Sequence, residues 1–322
     1  MTSEDQNIIT QWAESLSKEV QVGLTVTQDS RSQALRMFCD HLTQMVPKLQ
    51  VIEEDPNGSE FPSLHLQNIR YHAVPTGKEL ELFLQAFDGS HNPAGLLSSS
   101  IRNRLTGLRA PAPIKIFITA KCPFCPVTVQ PLITLARATD HIKLTIIDGV
   151  MFPEMAQADK IQSAPTVILD DHFRWDGSVT TDEIVEVIVH RDPAQLSAAS
   201  LRGMLKEGLA SQVAQMMLDH QTIFPGFLPL LIHDKWPVRL GAMVVFEIIA
   251  ESDRPLAAHM TSFLWQNYQE VEDRVKGDLI YLFGKSGNPE VIPYLKSVLS
   301  ETPNDEIKEA VLEALDGFRQ LS

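Results

Sequence analysis

The 322-residue chain contains only three cysteines, and aromatic side chains make up 7% of it. Three thiols cannot build the disulfide framework that staples small secreted domains, so a reducing, cytoplasmic setting is expected. No lysine or arginine cluster occurs, and 27 basic side chains face 41 acidic ones for a net charge of −14. A phosphate-backbone partner needs a basic face, so no nucleic acid is expected. No apolar run approaches the roughly 20 residues that span a bilayer. The start Met1-Thr2-Ser3-Glu4-Asp5 also lacks the basic-then-apolar order of a secretory signal, so no membrane partner is expected. A glycine fingerprint G-x-G-x-x-G after a strand is missing too, which argues against a dinucleotide cofactor. The acidity is even: 9 basic against 13 acidic residues over 1–110, 7 against 11 over 111–198, and 11 against 17 over 199–322. Such a spread favours plain solubility over an acidic binding tail.

Two stretches share one order of elements. Residues 22–27 and 114–119 read as short buried strands, each followed by an apolar helix pattern, over 34–46 and 127–138. A second strand follows in each, over 49–52 and 143–147. Then comes a strand headed by proline, Pro62 to Leu66 and Pro165 to Leu169, and a closing helix, Lys78 to Phe87 and Thr181 to His190. Any α/β chain alternates strands and helices. The matched prolines are more specific, because proline cannot donate to a ladder and belongs at a strand start or edge. The pattern implies an internal duplication of a unit of about 80 residues. Between the copies, residues 88–113 begin and end with turn residues and carry a connecting-helix pattern over 96–108.

From Ser197 onward the character changes to helix pairs. Helices are expected to open near Trp236-Pro237-Val238-Arg239, Glu272-Asp273-Arg274-Val275 and Asp305-Glu306-Ile307. This spacing resembles HEAT-type helical repeats, whose stacked pairs offer a face for a protein partner; an irregular helical bundle is the alternative.

The chemistry lies in Thr119-Ala120-Lys121-Cys122-Pro123-Phe124-Cys125-Pro126, a Cys-x-x-Cys between a buried strand and a helix. Backbone N–H groups at a helix start favour a thiolate at the first cysteine, and Lys121 would add positive potential. The second cysteine, one turn on, can attack a mixed disulfide formed at the first. Pro126 fits an early helix position, where its missing N–H is no loss. A structural zinc site needs about four ligands, and only the distant Cys39 and unpaired histidines remain. A c-type haem would need histidine where Pro126 stands. No metal and no cofactor beyond the cysteine pair are therefore expected. About 40 residues downstream, Ser163-Ala164-Pro165-Thr166 opens a strand. A cis Ala164–Pro165 bond is expected opposite the cysteines, with the flanking backbone free to pair with an extended substrate peptide.

With these motifs assembled, a resemblance stands out. Thr119–Cys125, Ile146-Ile147-Asp148-Gly149, Met151-Phe152-Pro153-Glu154, Ala164-Pro165-Thr166-Val167 and Thr181-Asp182-Glu183-Ile184-Val185 resemble the N-terminal domain of the alkyl hydroperoxide reductase flavoprotein. They also resemble the related tandem-thioredoxin protein disulfide oxidoreductases. The resemblance covers about residues 8–192, with specific motifs in the second half and architecture alone in the first. It implies an α/β protein with two tandem thioredoxin-like folds, over 1–110 and 111–196, followed by the all-α HEAT-like region over 197–322. In that family the first fold has lost its cysteines, and here the equivalent loop Asp29-Ser30-Arg31-Ser32-Gln33 has none. The family also brings a glutamate from the first half to the active pair to take or give a proton. Pro75-Thr76-Gly77-Lys78-Glu79-Leu80 matches its surroundings, so Glu79 inherits that role, against the alternative of a solvated first-turn residue. The family's flavoprotein continues into FAD and nucleotide domains. This chain shows no such fingerprint, so electrons would come from a separate reductase.

The expected activity is thiol–disulfide exchange with a protein substrate, with Cys122, Cys125, Pro165 and Glu79 catalytic and Phe124, Ala164 and Thr166 contacting substrate. Phe124 could equally pack within the fold. The direction of net flow is not set by the sequence. An alternative function is a scaffold in which the helical region binds a partner and the redox part is secondary. Cys39 reads as a small buried hydrophobe. Trp236, Trp265 and the run 223–232 read as core, and His220, His233 and His259 as structural or solvated.

Overall fold

The structure is a computed structural model, and it describes residues 1–56, 59–87, 97–108, 110–120 and 122–320. Lys121 and the first part of the connecting segment, residues 88–96, lie outside the described residues. The chain divides into two compact units, Met1–His190 and Arg191–Ser322.

In the first unit, α1 (Ser3–Ser15) precedes β1 (Val20–Thr25), α2 (Ser32–Met45), β2 (Leu49–Glu54), β3 (Ser63–Leu66), β4 (Ile69–His72) and α3 (Lys78–Phe87). After α4 (Ser99–Leu105) come β5 (Ala112–Ile118), α5 (Cys125–Ala138), β6 (Ile142–Asp148), α6 (Pro153–Ala158), β7 (Thr166–Leu169), β8 (Phe173–Asp176) and α7 (Thr181–His190). All eight strands form one sheet in the order β2-β1-β3-β4-β6-β5-β7-β8. Each half has the same internal plan. Its first two strands pair in parallel across a helical crossover, and its last two form an antiparallel hairpin beside the first. The halves join where β4 runs parallel to β6, from Ile69 opposite Leu144 to His72 opposite Ile147.

The expected division into 1–110, 111–196 and 197–322 describes chain order, and the first two of these segments share one continuous sheet. The two halves share a sheet and do not separate, and the compact-unit boundary falls at 190/191. Asn68 helps fix the seam: its side-chain amide donates to the carbonyls of Ala136 (2.5 Å), Ile142 (2.6 Å) and Thr139 (3.1 Å) of the other half. Arg31, in the cysteine-free loop of the first half, adds a second tie. It donates to the Met151 carbonyl (2.8 Å) and to Glu154 (2.9 Å), and its guanidinium lies 4.4 Å from the centre of the Phe152 ring.

The continuous buried run Ile116–Ile118 of β5 and the wholly buried β7 suit strands covered on both faces, and their β-branched residues fill the core. Helices α3 and α5 pack in parallel. Their C-terminal ends are linked by Arg137 Nη1 donating to the Gln85 carbonyl at 3.0 Å. Glu79 and Cys125 therefore sit in the first turns of two neighbouring helices.

The second unit is helical among its described residues: α8 (Ala198–Lys206), α9 (Ala210–His220), α10 (Trp236–Ser252), α11 (Arg254–Ala258), α12 (Thr261–Asn267), α13 (Asp273–Ser286), α14 (Ile292–Glu301) and α15 (Asp305–Gln320). The three expected openings coincide with the starts of α10, α13 and α15, and α13 packs on both α10 and α15. Between α10 and α13 lie the two short helices α11 and α12. In the run 223–232, Phe224, Phe227, Leu230 and Leu231 are buried as expected. Trp236 is not core: it is 48% exposed, and the Arg239 guanidinium lies 5.2 Å from its ring centre. Trp265 stacks on Tyr294 with ring centres 4.4 Å apart. No helix among the described residues is long and apolar enough to cross a membrane.

Candidate active site

Strand β5, between β6 and β7 in the sheet, ends at Ile118 and delivers the cysteine pair to its carboxyl end. The Cys122 N–H donates to the Thr119 carbonyl at 3.0 Å, closing the turn that ends in α5. Phe124 is the N-cap residue, and Pro126 occupies the first turn, where its missing N–H costs no helical bond. Phe124 offers no side-chain cap, so the Cys122 sulfur takes that place: the Cys125 N–H donates to Cys122 Sγ at 3.1 Å. On its other side the Cys122 thiol donates to the Ala164 carbonyl at 3.5 Å. The Ala164–Pro165 peptide bond is cis. Pro165 is buried, and its carbonyl accepts from the Gly177 N–H at 2.8 Å.

The two sulfurs differ in access. Cys122 is half-buried, whereas Cys125 is fully buried within the sheet–helix core. Burial pushes the Cys125 thiol well above the ordinary thiol range. Its hydrogen bond with Cys122 pushes the same way, and the charges of Cys122 and Glu79 add to this. Glu79 is 8% exposed, and burial alone raises its carboxyl to about 7. Neither of its side-chain oxygens has a hydrogen-bond partner. The structure thus places Glu79 inside, within electrostatic reach of Cys125, and not in solvent.

The remaining expected residues divide. Phe124 is 65% exposed, which decides against packing inside the fold. Thr166 is fully buried, and its hydroxyl donates to the Ser163 carbonyl (2.8 Å) and approaches Asp176 Oδ1 (3.0 Å); its side chain is occupied holding β7 to its surroundings. Cys39 is buried, and desolvation lifts its thiol to about 12, which matches an inert hydrophobe.

Sequence reasoning missed Tyr71 and the exposed pair Val127 and Val150. Tyr71 lies on β4, a strand with no periodic signal of its own, so nothing in the pattern points to it. Val127 (68% exposed) belongs to the first turn of α5, and Val150 (74% exposed) follows the carboxyl end of β6. With Phe124 they put three large apolar side chains in solvent at the carboxyl ends of β5 and β6. Among the described residues no group of three or more His, Cys, Asp or Glu is placed to hold a metal.

The cysteine turn and the Ala164–Pro165 hairpin meet at the Cys122 thiol, and residues 112–190, which hold both, match the thioredoxin-domain family. Beyond that half, the chain is similar to an alkyl hydroperoxide reductase protein of Staphylococcus epidermidis, 24% identical over 179 residues, covering 54% of this chain and 35% of the relative. The corresponding alkyl hydroperoxide reductase protein of Xanthomonas campestris pv. phaseoli is 24% identical over 217 residues, covering 63% of this chain and 41% of that one. The chain thus spans about two fifths or less of the length of these curated relatives. Among solved structures, the N-terminal domain of alkyl hydroperoxide reductase from Enterococcus faecalis superposes with a TM-score of 0.51 at 22% identity. It covers 58% of this chain and 99% of that one. A protein disulfide oxidoreductase from Aeropyrum pernix superposes with a TM-score of 0.51 at 13% identity, over 58% and 91% of the two chains.

Proposed function

We propose that this protein exchanges disulfides with a protein substrate through Cys122 and Cys125. The observation that carries the reading is the inequality of the two sulfurs: one half-exposed and capping a helix N–H, the other buried one turn away. Cys122 attacks the substrate disulfide, forming the mixed disulfide and releasing one substrate thiolate. Cys125 then loses its proton to Glu79 and attacks Cys122 Sγ, releasing the second thiolate and leaving a Cys122–Cys125 disulfide. Once Cys122 is in the mixed disulfide its charge is gone, so one of the causes that raise the Cys125 thiol is removed. A separate reductase must return two electrons for another turnover, and run backwards the same steps oxidise a dithiol. The cysteine pair is the whole redox centre in this reading.

A protein partner fits better than a small disulfide because Phe124, Val127 and Val150 expose large apolar side chains at the carboxyl ends of β5 and β6, the end of the sheet that carries Cys122. Pairing of an extended segment with the backbone beside Pro165 would add to it. The test is disulfide reduction driven by a dithiol donor. Cys122→Ser is expected to abolish turnover, and Cys125→Ser to stall it with substrate covalently held. Turnover by Cys122→Ser at the wild-type rate would end the proposal.

A further inference from the structure

A second buried polar group stands beside Glu79 and has no part in the exchange as written. Tyr71 is 1% exposed, with its ring edge-on to Phe83 at 5.0 Å between centres, and its hydroxyl has no hydrogen-bond partner. Two unpartnered polar side chains, each more than nine-tenths buried, are uncommon in one place, because each forfeits a hydrogen bond that water supplied in the unfolded chain. Both line the same small cavity, together with Pro75, Thr76, Ile118, Ala120 and Asp148. About 10 Å³ of it is open to the centre of a water molecule, room for one. The charge of Glu79 is felt at the phenol, adding to the burial that already holds Tyr71 neutral.

We propose that Tyr71 is a positioning residue for Glu79, acting through a single water that its hydroxyl donates to and that donates in turn to the Glu79 carboxylate. The phenol is one donor and the water two, so the pair meets the need of a buried carboxylate without placing a cation beside it. A full ion pair would hold the carboxylate charged too firmly to take a proton from Cys125. A water-borne bond to a neutral phenol steadies it only in part, and the same water accepts from the carboxylic acid once the proton has moved. Other ionisable groups around this point are otherwise engaged. Asp148 on β6 caps the N–H groups of Val150 and Met151, and Asp5 of α1 accepts from the Gly77 N–H at the head of α3. Cys125 of α5 is the proton's source. Lys78 and Glu81 belong to the solvent side of the first turn of α3.

The inference rests on the exchange reading for its consequence but not for its geometry, so two measurements separate them. The first is the C=O stretch of the protonated Glu79 carboxyl, taken as the infrared difference between wild type and Glu79→Gln at low pH. A hydrogen-bonded frequency that moves to the free-carboxyl position in Tyr71→Phe supports the water bridge. The same frequency in both proteins overturns it, whatever the enzyme does. The second is the pH profile of the second step, followed as release of the second coloured thiolate from an aromatic disulfide probe. Tyr71→Phe keeps the ring contacts with Phe83 and is expected to move the acid limb up by about one pH unit. An unmoved limb overturns the positioning role; separately, an acid limb that persists unchanged in Glu79→Gln overturns the proton transfer to Glu79 in the exchange reading, while the infrared result still decides the water bridge.

Discussion

At the scale of the residue, burial sets the behaviour of this site. Glu79 holds its proton up to about 7 in the fold and to about 4.5 in the unfolded chain, so between those values the native state binds more protons. Stability attributable to Glu79 therefore falls as pH rises through that window, by about 3 kcal/mol in all. His72 and His65 work oppositely, because burial lowers both to about 4 and their contribution is lost as pH falls through 6.5 towards 4. Comparing Glu79→Gln with wild type cancels the histidines. The variant's relative stability in denaturant melts is expected to improve by about 3 kcal/mol from pH 4.5 to pH 8. A difference independent of pH contradicts the buried, unpaired carboxyl. Cys122, Cys125 and Pro165 are legible in the sequence because spacing and strand–turn–helix context define them. The burial of Glu79 can be read only by resemblance, since the face of α3 that meets α5 depends on the join between the halves. Tyr71 is not legible at all, because the cavity it shares with Glu79 joins two elements, β4 and α3, that no local pattern brings together.

At the scale of the element, the strongest signals are apolar period and proline placement, and the gaps have local causes. Strand β8 escapes the sequence pattern although Phe173-Arg174-Trp175-Asp176 alternates half-buried and exposed positions. Asp170 and Asp171 in the three-residue loop before it both adopt left-handed backbone, in a turn closed by the His172 N–H donating to the Leu169 carbonyl at 3.2 Å, and this pair is the available clue. Helix α1 is hidden in the sequence by its polarity. Its start carries a reciprocal cap in which the Asp5 N–H donates to the Thr2 hydroxyl at 3.1 Å and the Thr2 N–H to Asp5 at 2.8 Å. In the helical unit, α10 and α13 are tied by a buried Arg239, which donates to Asp278 at 2.6 Å and to the His233 carbonyl at 2.6 Å. Arg239→Ala leaves Asp278 unpaired in a desolvated place and is expected to cost about 3–5 kcal/mol of unfolding free energy. A loss under about 1 kcal/mol, the size of an exposed ion pair, would show that the pair is solvated. Nearby, a Cβ on Gly284 of α13 would lie 3.1 Å from Cα and Cβ of Ala314 on α15. Gly284→Val is expected to destabilise by about 1–3 kcal/mol through this contact, read by thermal or urea unfolding. No loss would mean that the two helices slide apart without cost.

At the scale of the molecule, the duplicated order of strands is visible in the sequence, but its consequence is not. Two copies of a unit suggest two domains, whereas β4 and β6 pair and make one sheet from both. Pairing across that seam has no local signature, because β4 is only four residues long and follows β3 after a two-residue turn. The seam makes the cysteine-bearing half dependent on the other. A fragment of residues 111–190 would expose the β6 edge and strip Ala136, Thr139 and Ile142 of the Asn68 amide. It is expected to aggregate or unfold without a cooperative transition, while residues 1–190 unfold cooperatively in circular dichroism melts. A fragment 111–190 as stable as 1–190 contradicts the shared sheet. Asn68→Ala in the intact chain removes only the three amide contacts and is expected to cost about 1–3 kcal/mol. The Arg31 clamp adds to the seam, because the cysteine-free loop of the first half is held to Met151, Phe152 and Glu154 of the second.

The central claim is that one sulfur meets the substrate and the other, shut away behind it, completes the exchange. Intact-protein and peptide mass spectrometry after brief treatment of the reduced protein with a limiting disulfide probe tests it most directly. The account predicts a transient adduct on Cys122 alone, converted to the Cys122–Cys125 disulfide in wild type and persisting in Cys125→Ser. A first adduct on Cys125 or Cys39, or a Cys122 adduct that decays as fast in Cys125→Ser as in wild type, contradicts it.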